Sequence, residues 1–198
     1  MDITQNIRES IELYRRNFMT LILATLVAAV GSLITAGILA GPLTGGLLML
    51  CLKLMRGEEA GIKEVWGYFD KFAPTFLIVA ALWVVTLIAI VLGSIPVVGF
   101  IVQILVGPVL GIIFILAVGL VVEQNYEPIA ALKKALQWFK TNNPLIIWLY
   151  SFVIGLLSGA GAFLFLLPVI LTMPLGATGM AIAYRELSNR EIGMLTMN

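Results

Sequence analysis

Charged residues fall in blocks along this chain instead of alternating with apolar ones. Three stretches carry no Asp, Glu, Lys or Arg: residues 17–52, 72–122 and 141–184, of 36, 51 and 44 residues. All 23 charged residues lie in the four clusters around and between them, at 2–16, 53–71, 123–140 and 185–191. A membrane-crossing helix takes about 20 residues at 1.5 Å rise, because the hydrocarbon core is about 30 Å thick. Each charge-free stretch is therefore long enough for two spans joined by a turn. Uncharged turn signals sit inside each, at Gly31-Ser32, Gly93-Ser94-Ile95-Pro96 and Ser158-Gly159-Ala160-Gly161. The pattern predicts six transmembrane helices, near 17–31, 34–55, 74–93, 99–122, 144–159 and 162–184.

An amphipathic segment precedes each hairpin. Ile3, Ile7, Ile11, Tyr14 and Phe18 fall at helical spacing, with Arg8, Glu12 and Arg15 off that face. Ile62, Val65, Trp66, Phe69 and Phe72 form a second stripe, opposite Lys63, Glu64, Asp70 and Lys71. Ile129, Leu132, Leu136 and Phe139 form a third, with Lys133, Lys134, Gln137 and Lys140 facing away. Such helices lie in the membrane interface with their apolar side dipped among the headgroups.

The chain also repeats itself. Ile38-Leu39-Ala40-Gly41-Pro42-Leu43 recurs as Ile104-Leu105-Val106-Gly107-Pro108-Val109 and again as Ile170-Leu171-Thr172-Met173-Pro174-Leu175, at a spacing of 66 residues both times. Ile, Leu and Pro are identical in the three copies, and Gly45, Gly111 and Ala177 keep a small residue three places after the proline. Equal spacing that matches the topological period points to triplication. The expected architecture is all-α: a single transmembrane domain over 1–198, built from units at about 1–56, 57–122 and 123–185 with a short tail at 186–198. Two spans per unit return the chain to the same side, so the repeats are parallel and related by an axis along the membrane normal.

Both termini and both charged loops then share one side, which carries all 12 Lys and Arg; the positive-inside bias makes that side the cytoplasm. Composition agrees with a lipid environment: 61% hydrophobic and 12% charged, with a mean hydropathy of +1.06. A net charge of +1 gives no sign of nucleic-acid binding, and one Cys excludes a disulfide framework. The first 16 residues are polar and no small-residue cleavage site follows a short apolar core, so a cleaved signal peptide is not expected.

The repeated proline is the most specific chemical feature. Within a helix, proline deletes the hydrogen bond to the carbonyl four residues back, here Ile38, Ile104 or Ile170, and bends the helix. An orphaned carbonyl in lipid needs protein, hydroxyl or water to cover it. Two readings stand: Gly41, Pro42, Gly107, Pro108, Met173 and Pro174 as packing kinks about an apolar axis, or as the lining of a small cavity or pore. The runs Gly37–Gly41–Gly45 and Gly107–Gly111 similarly serve either intramolecular packing or self-association.

Enzymatic chemistry finds little to stand on. The chain has no His, and no charged residue falls well inside the predicted spans, where such groups mark proton and ion paths. Thr25, Ser32, Thr35, Thr86, Ser151 and Thr172 have no base partner there and read as back-bonded helix hydroxyls. Gln103 reads as a helix-packing amide, and Cys51 as a small apolar residue or, less simply, a palmitoylation site. Arg56, Glu58, Glu59, Lys133 and Lys134 are candidate contacts for a partner on the cytoplasmic side, or merely solvated. No cofactor or metal is implied.

The order Gly41-Pro42-Leu43, Gly46 and Arg56-Gly57-Glu58, followed by an amphipathic stretch with Trp66, Phe69 and Phe72 and a new span, resembles a loose prokaryotic group. It includes the YciC-like membrane proteins and the membrane domain found beside some glycerophosphodiester phosphodiesterases. The resemblance implies a multi-pass protein of the prokaryotic inner membrane and transfers no catalytic residue. The chain has no His and no soluble catalytic domain, so phosphodiesterase activity is not implied. The expectation is a non-catalytic scaffold or accessory subunit in contact with lipids, with other membrane proteins or with copies of itself. The alternative is a transporter or channel for a neutral or lipidic solute.

Overall fold

A computed structural model describes residues 2–92, 96–161 and 166–196, and all regular structure among them is helical. The elements are α1 (Ile3–Arg16), α2 (Phe18–Ile34), α3 (Ala40–Met55), two short 3-10 helices (Ile62–Trp66 and Phe69–Lys71), α4 (Phe72–Leu92), α5 (Pro96–Gln124), α6 (Pro128–Thr141), α7 (Pro144–Gly159) and α8 (Leu166–Thr196). Two stretches, Ile62–Val91 and Ile101–Gln124, are long and apolar enough to cross a membrane. The number rises to four if the bent pairs α1–α2 and α6–α7 each make one span.

Local chemistry sets the helix ends. Asp2 caps α1 by accepting from Gln5 N at 3.0 Å, and Asn143 accepts from Ile146 N at the start of α7, where Pro144 supplies a preset φ. Gly57, at φ +76°, follows α3 in the left-handed conformation that ends many helices. The chain turns sharply between α1 and α2, by 97°, and between α6 and α7, by 107°.

Several boundaries differ from the sequence expectation. The turn predicted at Gly31-Ser32 falls at Thr35–Leu39, where Gly37 takes φ +84°. Gly31 instead permits close approach: a Cβ there would meet Leu43 Cδ1 at 2.8 Å. Of the turn predicted at 93–96, residues 93–95 lie outside the described residues. The second amphipathic segment is not an α-helix but two short 3-10 helices, the first bracketed by Gly61 and Gly67. Residues set aside as a tail continue α8 to Thr196.

The helices pack in a cyclic order. α3, α5 and α8 touch one another, and at their meeting point Gly119 has no room for a Cβ between the Tyr184 ring and Leu48. Around them α2 packs on α3 and α8, α4 on α3 and α5, and α7 on α5 and α8. The segment 62–66 lies along α3, α6 along α5, and α1 along α8.

In α1 and α6 only part of the apolar stripe packs inward: Ile3, Ile7, Tyr14, Leu132 and Phe139 meet the core. Asn6, Ser10, Leu13 and Tyr14 are the buried residues of α1, while Ile11 is 40% exposed. In α6 the buried residues are Ala131, Ala135 and Trp138, and Ile129 is 69% exposed. The buried faces of these helices thus mix polar or small residues with Leu13, Tyr14 and Trp138, while Ile11 and Ile129 point outward.

Candidate functional site

The three prolines do not act alike. Pro42 is the third residue of α3, in the first turn, where its missing N–H would have had no partner. The kink expected there is absent, and Gly41 beside it brings α3 against α4: a Cβ would meet the Thr75 backbone at 2.8 Å. Pro108 and Pro174 do lie inside helices, α5 and α8.

Each interior proline has a side-chain donor beside it. Trp148 Nε1 donates to the carbonyl of Leu105 at 3.0 Å, and Tyr14 Oη to that of Leu171 at 2.8 Å. Leu105 and Leu171 hold the same place, three residues before Pro108 and Pro174, one residue on from the carbonyls expected to be freed. Ser151 also donates to Pro108 O at 2.8 Å, and Thr178 to Pro174 O at 3.0 Å. Donors on the neighbouring helices α7 and α1, and Thr178 of α8 itself, thus serve backbone carbonyls beside the two prolines.

The helices also part around an open-sided chamber of about 360 Å³. Helices α2, α3, α5, α7 and α8 line it, and Thr25, Ser32, Thr44 and Ser158 are its hydroxyl-bearing residues. Met173, Gly176, Ala177 and Met180 line the α8 side. A second void of about 390 Å³ lies between α5 and α7, bounded by Gln103, Gly107, Pro108, Ser151 and Leu156. The two share Gly111, Gly155 and Met180. Nothing stands within 4 Å of where a Cβ would be at Gly107, Gly111 or Gly155. The Gly107–Gly111 run expected to pack therefore borders open space, in contrast to Gly41 and Gly45.

Thr25 is 8% exposed, and among the described residues its Oγ1 is the buried side-chain oxygen with no hydrogen-bond partner. Most comparable threonines bond back to their own helix: Thr35 to Gly31 O at 2.8 Å, Thr75 to Lys71 O at 2.7 Å.

At the opposite end, charged side chains tie the polar segments to the central helices. Arg56 reaches Glu123 at 2.5 Å, Lys53 reaches Glu64 at 2.8 Å, and Arg185 reaches Glu9 at 2.6 Å. Lys134 pairs with Glu191, which also accepts from Trp138 Nε1 at 2.8 Å. Asn6 donates to Glu186 at 2.6 Å, and Gln124 to Ser188 at 3.0 Å. Burial pushes the Glu186 carboxyl up, but the hydrogen bond from Asn6, the positive charge of the chain's amino terminus and the hydrogen bond from Arg190 together outweigh it and hold the pKa below the ordinary glutamate value. Of the five rim candidates, Arg56 and Lys134 are thus engaged within the chain, while Glu58, Glu59 and Lys133 are exposed.

Among the described residues no group of three His, Cys, Asp or Glu is placed to hold a metal ion. The sequence pointed to Gly107, Pro108 and Met173, which border the voids. It missed Thr44, Ser158 and Met180, and it read Thr25 as back-bonded. Trp148 and Tyr14 as proline partners had no signal in the linear pattern. Compared with family models, curated proteins and solved structures, the chain matches none.

Proposed function

We propose that this chain is a non-catalytic membrane protein of six spans that serves as a scaffold or accessory subunit through lipid and protein contacts. The observation that carries this reading is the second half of α4. Trp83, Val84, Val85, Leu87, Ile88 and Ile90 are all at least 41% exposed. Successive helical residues point 100° apart, so apolar surface is exposed around most of the circumference of this half of the helix. Apolar surface of that extent marks contact with lipid or with another protein. The exposed Ile11 and Ile129 of α1 and α6, beside the buried Asn6 and Ser10, support the same placement, since apolar residues outside and polar ones inside suit lipid better than water.

The six spans are read as α2, α3, α4, α5, α7 and the first part of α8, in three parallel repeats. Supporting this are the common order of polar segment, helix and helix, and the cyclic contacts of each polar segment with the second helix of the preceding unit. Lys53 and Arg185, each 11 residues after its proline, both pair with a glutamate on such a segment; the matching residue of the middle unit is Gly119. The likeness to the YciC-like group and the prokaryotic inner membrane, with both termini cytoplasmic, belong to the same proposal. Native mass spectrometry after extraction in a mild polymer tests the function. A scaffold emerges with a partner at fixed stoichiometry, and a bare monomer overturns it.

The chamber favours a second reading, a carrier for a neutral or lipidic solute. Leu48, Gly119 and Tyr184 meet tightly where α3, α5 and α8 converge, so transport along them requires those helices to separate. Reconstituted flux that is unchanged by Gly107→Leu counts against it.

A further inference from the structure

We infer that α1 and α6 carry two equivalent sites for anionic phospholipid headgroups, formed by Arg8 and Arg15 on the first helix and by Lys133 and Lys140 on the second. The inference rests on the membrane placement proposed above and adds which lipids the chain holds and where.

The equivalence of the two helices is geometric. Each has 14 residues. The fourth, eighth and eleventh are buried in both: Asn6, Ser10 and Leu13 in α1, and Ala131, Ala135 and Trp138 in α6. The seventh ties each helix to α8, Glu9 through Arg185 and Lys134 through Glu191. Both helices are therefore seated with the same face inward. On each, the sixth and thirteenth residues are exposed cations. At 100° per residue the thirteenth stands about 180° round the helix from the fourth, and a rise of 1.5 Å sets the two charges about 10.5 Å apart along the axis.

These charges are free to meet a ligand. Among the described residues Arg8, Arg15, Lys133 and Lys140 form no ion pair. The acids of α1 that could answer them are engaged, Glu9 with Arg185 and Glu12 with Arg16, and α6 contains no Asp or Glu. Each outer face is left with positive charge and no counter-charge on its own helix.

The apolar neighbours decide the class of partner. The ninth residue of each helix, Ile11 or Leu136, is exposed between the two cations. Past the sharp bend that follows, α2 opens with exposed Phe18 and Met19, and α7 with exposed Leu145. Cations bordered by apolar surface reproduce the order of a bilayer, anionic headgroup and then hydrocarbon. A soluble acidic partner would leave the apolar corners in water.

The test begins with an alkaline carbonate wash of membranes that contain the full chain. Retention supports the membrane placement, and release overturns that placement together with the sites. The protein is then transferred to nanodiscs of equal phosphatidylglycerol and phosphatidylcholine, and native mass spectrometry counts the lipids that stay bound on its release. The unsubstituted chain should retain phosphatidylglycerol in excess. Arg8→Gln with Arg15→Gln, and Lys133→Gln with Lys140→Gln, should each lower that excess, by about fivefold for each charge removed. Arg8→Lys with Arg15→Lys should keep it, because the charge remains. All six positions changed are at the exposed surface, so the variants should stay monodisperse. Equal retention of the two lipids, or an excess that both Gln pairs leave unchanged, overturns the proposal. An unchanged excess with loss of a co-purifying protein assigns these faces to an acidic partner and overturns it as well. A chain that resisted the wash keeps its membrane placement in each of these outcomes.

Discussion

Arg185 forms an ion pair with Glu9 at 2.6 Å, joining the last helix of the described chain to the first and closing the ring around α3, α5 and α8. About a third of each side chain is exposed, so solvent screens the pair. Glu9→Gln should cost no more than about 1 kcal/mol in a detergent unfolding titration. A larger loss would mean that the pair is shielded by something outside this chain.

Gly46 and Gly111 make a matched contrast. Alanine is favoured over glycine in a helix by about 1 kcal/mol. At Gly111 the new methyl meets open space, so Gly111→Ala should raise the melting temperature. At Gly46 it would run into the backbone of Glu64 and Val65, and Gly46→Ala should destabilise by about 1–3 kcal/mol. Thermal unfolding in one detergent checks both, and two shifts of the same sign would contradict the packing.

Removing the donors beside the prolines should have a graded effect. Trp148→Phe and Tyr14→Phe each delete one hydrogen bond to a carbonyl three residues before an interior proline, of 3.0 and 2.8 Å. Interhelical hydrogen bonds in membrane proteins average about 0.6 kcal/mol and reach about 1.7. The two sites share no partner, so the double variant should show the sum.

Acid should weaken the α1–α8 contact through Glu186. Its pKa in the folded protein is depressed, so the stabilisation is complete above the ordinary glutamate value of about 4.3 and is lost as pH falls through the lower folded value. Glu186→Gln should flatten the stability profile between pH about 5 and the acid limit. Persistence of the same slope in that variant would assign it to another carboxylate.

Topology is testable with single cysteines in a Cys51→Ala background. Cysteines at Gly57, Asn125 and Gly193 should react with an impermeant maleimide from one side of the membrane, and a cysteine at Ala36 from the other. Any split among the first three rules out six spans in parallel pairs.

The linear pattern carried the helix pairs, because blocks of charge mark where a chain must meet water. It also carried the interior prolines of α5 and α8. It misplaced Pro42, since the motif reads the same whether proline sits in a first turn or in mid-helix, and only the break at Thr35–Leu39 distinguishes them. Tyr14 of the buried face of α1 was legible in its apolar stripe, and the polar part of that face was not, for a different reason. Asn6 and Ser10 look solvent-facing by the rule for water, and that rule inverts when the exterior is apolar. Nor does one threonine among apolar residues announce that its hydroxyl lacks a partner; that emerges only once α2, α3 and α7 stand around it.

The seating of α1 on α8 also shapes the protein's birth. A ribosome adds about 5–20 residues per second, so the 150 residues between Arg16 and Leu166 take about 8–30 s to emerge. For all that time Asn6, Ser10 and Tyr14 lack the helix that will answer them. The nascent chain must carry an unsatisfied polar edge through the insertion of every other helix, and a chain stalled before α8 would expose that edge to quality-control proteases.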